Sequence, residues 1–81
     1  MEWIVYIIRS PEKGLYYKGY SEDFEKRLVE HNAGRVASTK HARPWIEHYT
    51  EKFETKTDAL KRERYLKTRS GYRWLKQHGI I

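Results

Sequence analysis

The stretch from Trp3 to Ile8 restricts the fold of this chain more than any other segment. All six residues are aromatic or β-branched, the types that favour β-strands. A strand with one face in water alternates apolar and polar residues, whereas this one is apolar on both alternating faces. We therefore predict a strand in the interior of a sheet, with packing layers on both sides.

Turn and cap signals place the next two elements. Residues 10–14, Ser-Pro-Glu-Lys-Gly, have turn chemistry, and residues 15–20 alternate like a second strand, so the two strands form a hairpin. Ser21 or Asp23 can cap a helix that starts near Glu22. Gly34 suits the left-handed position at the end of that helix.

The second half of the chain begins with residues 35–44, which lack periodicity and predict an exposed basic loop. Residues 45–53 carry a third strand signal. Thr55 and Asp58 resemble a capping box for a second helix that runs to about Arg69. A break at residues 70–71 then precedes a short helix ending at Gly79. The predicted class is α/β (α+β), order β-β-α-β-α-α, in a single domain over residues 1–81.

Composition narrows the classes of function. Seventeen Lys and Arg against eleven Asp and Glu give a formal net charge of +6, which favours nucleic acid or an anionic membrane as partner; the alternative is that the charge only keeps the chain soluble. A core of 81 residues is too small for a large buried cofactor pocket, so we expect an open, shallow active surface. The absence of cysteine excludes a disulfide scaffold. The short apolar runs and the missing signal-peptide pattern predict a soluble cytoplasmic protein without a membrane span.

Glu63 is the most informative polar residue. On a helical projection it lies within the apolar stripe formed by Ala59, Leu60 and Leu66. An ionised carboxylate there needs a cation or several hydrogen-bond donors as compensation. Glu63 is therefore a candidate metal ligand, and the alternative is that it reaches the rim of the helix and pairs with a nearby arginine.

Arg27 and His31 flank the core face of the first helix, one turn apart. A guanidinium and an imidazole in this arrangement can address one phosphate. The alternative is a cationic helix end, because His31 near the C-terminus interacts favourably with the helix dipole.

Tyr6 and Tyr17 each lie on a strand face that the alternation defines. Tyr17 shares its face with Gly19, and a glycine in a strand lets a ligand or another backbone approach closely. Either tyrosine could instead be an ordinary strand residue, and Gly19 could mark a bulge.

Together, Ile4-Val5-Tyr6, Tyr17-Lys18-Gly19, the Arg27–His31–Asn32 set and Glu63 resemble the GIY-YIG nuclease family. The likeness covers essentially the whole chain, and residues 38–41 and 65–68 add to it. It is closest to small stand-alone bacterial members related to the N-terminal nuclease domain of the nucleotide-excision-repair endonuclease.

The resemblance implies a three-stranded antiparallel sheet flanked by helices and a metal-dependent endonuclease that hydrolyses DNA in repair or recombination, with branched or flapped DNA as a candidate substrate. It implies one Mg²⁺ or Mn²⁺ ion on Glu63, completed by waters and phosphate. Arg27 would neutralise the scissile phosphate, and Tyr6, with His31 and Tyr17 nearby, would orient or deprotonate the attacking water. A partner protein or a homodimer could supply DNA specificity.

Basic residues outside these motifs are candidates for phosphate contacts, which carry affinity and not sequence preference. The candidates for nucleic-acid binding are Lys18, Arg35, Lys40, His41, Arg43 and Lys67, with Lys61, Arg62, Arg64, Arg69 and Arg73 on the last helices. Trp45 and Trp74 could stack on bases, but core packing is the favoured use of both.

Two alternatives to a nuclease remain. The first triplet ends in Tyr6 but begins Ile4-Val5, the second has Lys18 at its centre, and no asparagine follows Glu63. A non-catalytic nucleic-acid-binding module that keeps the nuclease fold is therefore the main alternative. A protein-interaction domain with incidental basicity explains Glu63 less well.

Overall fold

The structure, a computed structural model, describes residues 2–81 as a three-stranded sheet with three α-helices. The elements are β1 Trp3–Ser10, β2 Leu15–Ser21, α1 Phe24–Asn32, β3 Ile46–Phe53, α2 Lys56–Leu66 and α3 Arg69–Gln77, with a 3₁₀ turn at Lys40–Ala42. The sheet is antiparallel with strand order β2-β1-β3. The predicted fold class and element order are confirmed. None of the helices described is long and apolar enough to cross a membrane.

Strand β1 is central in the sheet and carries a separate core on each face. Val5 and Ile7 point to the side covered by α2 and α3, where they pack with Ala59, Leu66 and Leu75. Tyr6 and Ile8 point to the other side, where they pack with Ala42, Trp45, Phe24 and Leu28. The predicted two-sided strand is confirmed, because four consecutive residues of β1 are all buried.

The hairpin between β1 and β2 sets the register that the site depends on. Its turn closes with the Gly14 N–H donating to the Ser10 carbonyl at 2.8 Å, and Gly14 has a φ of 66° that favours glycine. Tyr6 then lies opposite Gly19, and Ile8 lies opposite Tyr17. Both tyrosines therefore share one face of the sheet.

Helix α1 starts two residues later than predicted. Asp23 is its cap, with the side chain accepting the N–H of Lys26 at 3.1 Å, so the helix begins at Phe24 and not at Glu22. At its other end Gly34 has a φ of 78°, as the glycine signal predicts.

The predicted break at residues 70–71 is wrong. Helix α2 ends at Leu66, and Thr68 caps α3 by accepting the Gly71 N–H at 3.1 Å. A Cβ at Gly71 would lie 2.0 Å from the Tyr65 carbonyl oxygen and 2.6 Å from the Leu66 Cα. Gly71 thus lies inside α3 and permits close packing on the end of α2, because only glycine leaves that space free.

The prediction of an exposed loop over residues 35–44 is only partly correct. Its basic side chains are exposed, but Thr39 and Ala42 are fully buried. The Asn32 side chain anchors the end of the loop by accepting the Trp45 N–H at 2.6 Å and donating to the Trp45 carbonyl at 2.9 Å. The many charged residues in this segment predict the exposed side chains correctly. They give no indication that the small residues between them are buried.

Candidate active site

An open cleft of about 790 Å³ is lined by side chains from both faces of the sheet. Tyr6 and Tyr17 come from the face covered by α1, whereas Trp3 and Tyr20 come from the face covered by α2 and α3. Helix α1 contributes Lys26, Arg27 and Glu30, helix α2 contributes Glu63, and residues 19 and 21–23 complete the lining. Four of the five predicted catalytic residues, Tyr6, Tyr17, Arg27 and Glu63, therefore meet in one cleft.

Gly19 leaves the space that the Tyr6 ring occupies. A Cβ at this position would lie 2.6 Å from the Tyr6 hydroxyl oxygen and 2.7 Å from the ring carbon that bears it. Tyr6 is 1% exposed, yet it still lines the cleft. The group that approaches Gly19 closely, as predicted for this position, is therefore the Tyr6 side chain and not a ligand or another backbone segment.

A chain of hydrogen bonds continues from Tyr6 into the interior. The Tyr6 hydroxyl and His31 Nε2 share a bond of 2.9 Å, and His31 Nδ1 and Thr39 Oγ1 share one of 2.8 Å. The Thr39 hydroxyl also lies 3.3 Å from the Val36 carbonyl oxygen, to which it can donate. His31 is fully buried, so it stands behind Tyr6 and not on the cleft wall beside Arg27.

Burial keeps both Tyr6 and His31 uncharged near neutral pH. Desolvation raises the pKa of Tyr6 to about 12, and the Arg27 guanidinium opposes the rise while Tyr17 and Glu63 add to it. Desolvation also lowers the pKa of His31 below its ordinary 6.5, and the Arg27 charge adds to that lowering. The cleft therefore presents a neutral phenol backed by a neutral imidazole.

Glu63 is buried in the apolar stripe of α2, as predicted, with Ala59 and Leu66 buried on the same helix. Its partner is Lys67, one turn along the helix, whose Nζ lies 2.9 Å from Glu63 Oε2. The alternative of an arginine partner at the rim is wrong. The Lys67 side chain is 50% exposed whereas that of Glu63 is 10% exposed, so the lysine has solvent to turn into and the carboxylate is enclosed.

The residues around Glu63 fit a divalent cation that keeps most of its own water. Within residues 2–81, no group of three or more His, Cys, Asp or Glu could hold a metal ion. Mg²⁺ commonly uses one or two carboxylates and fills its remaining positions with water and phosphate oxygens. A single carboxylate in an open cleft, paired to a half-exposed lysine, matches that donor set.

The predicted nucleic-acid-binding residues divide into two groups. Lys18 is half-buried on β2, and its burial together with the nearby Lys67 charge lowers the Lys18 pKa. These two lysines belong to the Glu63 side of the molecule. The other four are exposed around the 3₁₀ turn and do not line the cleft described above; they are Arg35, Lys40, His41 and Arg43.

Arg62 is not available for the phosphate contact predicted for it. Its guanidinium donates two hydrogen bonds to the Glu51 carboxylate, at 2.8 and 3.0 Å. It also lies 4.3 Å from the centre of the Trp74 ring, which stacks on His78 at 4.1 Å. Trp74 therefore already has neighbours on its ring and is not a free platform for bases.

The prediction that Trp45 packs in the core is confirmed, whereas the phosphate contacts predicted for the other basic residues of the last helices stay predictions. Trp45 is 3% exposed and packs in the core, as the favoured interpretation holds. The other basic residues of the last helices, Lys61, Arg64, Arg69 and Arg73, are exposed.

Sequence reasoning gave no role to Thr39, Lys26, Trp3 or Tyr20. Thr39 lies eight positions after His31, beyond the end of α1, and no periodicity connects the two. Trp3 and Tyr20 were detectable in principle, since each follows or precedes a motif residue near the end of a strand, but their ring contact at 6.1 Å depends on the strand register.

Comparisons with known proteins agree with this geometry. Residues 2–77 match the model of the GIY-YIG catalytic domain. A UPF0213 protein of Staphylococcus saprophyticus is 45% identical over 73 residues, which are 89% of this chain and 88% of that protein. A UPF0213 protein of Halobacterium salinarum is 41% identical over 64 residues, or 78% of this chain and 82% of that protein.

A solved relative shares the fold. The solution NMR structure of a UPF0213 protein from Bacillus halodurans superimposes with a TM-score of 0.56 at 29% identity, over 95% of this chain and 84% of that one. The cleft, its tyrosines and its carboxylate thus lie within a nuclease-type fold, and the chain belongs to the GIY-YIG family.

Proposed function

We propose that this protein is a metal-dependent endonuclease that hydrolyses phosphodiester bonds in DNA. The observation that carries the proposal is the meeting of a phenol, a guanidinium and a carboxylate in one open cleft. These groups are Tyr6 of β1, Arg27 of α1 and Glu63 of α2. Phosphodiester hydrolysis needs a group for each of three tasks: activating water, neutralising the phosphate and holding a cation.

Glu63 would hold one Mg²⁺ or Mn²⁺ ion in this proposal, with waters and phosphate oxygens as the other ligands. When bound, the ion would stabilise negative charge on the phosphate and on the departing 3′ oxygen. Lys67 would release the carboxylate to the ion, and its half-exposed side chain would then be free to contact the DNA backbone.

Arg27 would neutralise the scissile phosphate. Its side chain is 37% exposed and pairs with Glu30 at 3.1 Å, so it is held at the cleft wall before DNA arrives. A phosphate placed between Arg27 and the Glu63 site would exchange the Glu30 contact for a charge-assisted bond to a phosphate oxygen.

Tyr6 would receive a proton from the attacking water while its own hydroxyl proton passes to His31 Nε2. The water oxygen then bonds to phosphorus, the bond from phosphorus to the 3′ oxygen breaks, and the departing oxygen takes a proton from solvent water, to which His31 returns through Tyr6 the proton that it gained. Because the pKa of Tyr6 is raised to about 12, a free phenolate is too rare at neutral pH to be the base by itself. Tyr17, whose ring meets that of His31 at a centroid distance of 5.1 Å, would keep the imidazole in place.

The cleft is open, so a continuous strand could pass through it without a free end, which supports endonucleolytic cutting. The net charge of +6 and the exposed lysines and arginines support a DNA substrate. We propose branched or flapped DNA from repair or recombination in the cytoplasm as the first substrate to test. A second copy or a partner protein would extend the contact surface of so small a domain.

Cleavage assays with branched, flapped and plain duplex DNA test the proposal directly. Wild type and the control Glu54→Gln, which changes an exposed glutamate, should cut with Mg²⁺ or Mn²⁺ and stop with a chelator. Glu63→Gln should lose at least about 10³-fold in rate, since a catalytic metal supplies several kcal/mol. If wild type binds every substrate and cuts none, the protein is a non-catalytic nucleic-acid-binding module.

A further inference from the structure

The hydrogen atoms along the buried chain behind Tyr6 can be assigned by finding an acceptor for each. A neutral imidazole carries one N–H, and each hydroxyl carries one O–H, so the chain holds three hydrogens. The Val36 carbonyl can only accept, and besides the Thr39 hydroxyl it accepts the N–H groups of Thr39 and Lys40. With the Thr39 hydroxyl donating to Val36, its oxygen is left to accept from His31 Nδ1–H at 2.8 Å.

The same assignment fixes the direction of the Tyr6 hydrogen bond. If His31 Nδ1 carries the hydrogen, then Nε2 has a free lone pair, and the Tyr6 hydroxyl donates to it at 2.9 Å. In the opposite tautomer Nε2–H donates to Tyr6, and the Tyr6 hydroxyl hydrogen has no acceptor among the residues that the structure describes. Only the first arrangement gives all three hydrogens a protein acceptor.

Arg27, which lines the same cleft as Tyr6, favours the same direction. Its positive charge opposes the rise in the pKa of Tyr6. A positive charge attracts the lone pairs of the phenol oxygen and repels the hydroxyl hydrogen towards His31. Two independent neighbours, Thr39 and Arg27, therefore agree on where that hydrogen lies.

We propose that Thr39 is a positioning residue that holds His31 as the Nδ1–H tautomer, so that Tyr6 presents lone pairs, and not its hydrogen, to the cleft. A water in the cleft could then donate to Tyr6 while Tyr6 donates to His31. The tautomer stands independently of catalysis, whereas its consequence for rate rests on the proposed nuclease function.

The loop that carries Thr39 is built to keep this residue in place. The Trp45 indole N–H donates to the Thr39 carbonyl at 2.8 Å, and Asn32 holds the Trp45 backbone. Thr39 is thereby tied to the end of α1, the helix that carries His31. This role accounts for a fully buried threonine within an otherwise solvated basic loop.

Nitrogen NMR on the ¹⁵N-labelled chain, without metal or DNA, tests the tautomer at pH 8. The His31 ring is assigned by its contacts with the Tyr6 and Tyr17 rings. Wild type, Thr39→Ser and the exposed neighbour control Ser38→Ala should show hydrogen on Nδ1. Thr39→Val should move it to Nε2, because Nδ1–H would lose its acceptor.

Hydrogen on Nε2 in wild type, or an unchanged tautomer in Thr39→Val, would overturn the proposal. If Thr39→Val does not fold, the spectra of wild type and Thr39→Ser decide. In cleavage assays Thr39→Val should lose about 10²-fold in kcat with unchanged DNA affinity, and Thr39→Ser should recover the rate. A wild-type chain that shows Nδ1–H but cuts no DNA would refute the nuclease and leave the tautomer standing.

Discussion

Glu51 on β3 and Glu63 on α2 are similarly hidden from solvent, with side chains 17% and 10% exposed, but their charges are compensated in different ways. Arg62 donates two hydrogen bonds to Glu51, and the Tyr49 hydroxyl donates a third at 2.5 Å. Glu63 has Lys67, a half-exposed point charge on a flexible stem. At similar burial, Glu51 therefore has a full set of hydrogen-bond donors within the chain, whereas Glu63 has a single cationic partner.

The difference separates a carboxylate that stabilises the fold from one suited to bind a ligand. Burial alone would raise the pKa of Glu51, but the Arg62 and Tyr49 hydrogen bonds outweigh it and hold that pKa below its usual range. Its interactions are complete within the chain, so a ligand would have to break strong bonds to reach it. A cation at Glu63 would have to displace only Lys67.

The largest expected effect is on metal binding. Glu63→Gln should weaken Mn²⁺ binding by more than about 100-fold, because it removes the carboxylate that would ligate the ion. Glu51→Gln should leave that affinity unchanged within about a factor of two, since its carboxylate is already occupied by Arg62. Paramagnetic broadening of backbone signals during a Mn²⁺ titration measures both without DNA. Equal weakening in the two variants would abolish the distinction.

The second effect is on stability, where Glu51→Gln should have the larger effect of the two substitutions. Glu51→Gln should lower the free energy of unfolding by roughly 2 kcal/mol at pH 7, because it leaves Arg62 without its charged acceptor. Glu63→Gln should change it by less than about 0.5 kcal/mol, since its lysine returns to water. Urea unfolding monitored by tryptophan fluorescence gives both values.

The pH dependence provides the check on that second effect. The pKa of Glu51 is lower in the folded chain than its usual 4.5, so its stabilisation is complete above about pH 4.5 and is lost as pH falls through the folded value. The gap between wild type and Glu51→Gln should therefore close in acid. A gap that persists at pH 2 would trace the loss to packing and not to charge.

The smallest effect concerns Lys67. Lys67→Met should tighten Mn²⁺ binding by about threefold to tenfold, because it removes a positive charge from 2.9 Å beside the ligand oxygen. The control Lys61→Met changes an exposed lysine on the same helix and should leave the affinity unchanged. Weaker binding in Lys67→Met would mean that the lysine orders Glu63 and does not compete with the ion.

The sequence reveals Glu63 more readily than it reveals Glu51. Glu63 interrupts an apolar stripe of period 3.6, and that pattern is local to one helix. The full set of hydrogen bonds to the Glu51 carboxylate depends on Arg62, eleven residues away on another element, and on the rotamer of Tyr49. The same limit explains the misplaced start of α3, because the function of Gly71 depends on the Tyr65 carbonyl that approaches it.

The burial of both faces of β1 and the turn at residues 10–14 were predictable because their sequence signals are local. Each rests on neighbouring residues whose alternation or turn chemistry is fixed by the backbone itself. Tyr6, Tyr17 and Gly19 were thereby assigned to the correct faces. The link from Tyr6 through His31 to Thr39 joins three separate elements, and sequence spacing carries no signal for such a junction.

Because β1 is the central strand, an insertion or deletion within it would disrupt the site more than most single substitutions would. Successive residues of this strand alternate between the two cores, so a shift of one residue would exchange Tyr6 with Val5 or Ile7. Such a register shift would place a phenol in the core under α2 and, at the same time, an alkyl group in the cleft. A molecule with the wrong register would therefore lose the packing of both cores together with the site, so an inactive chain of this kind would also be an unstable one.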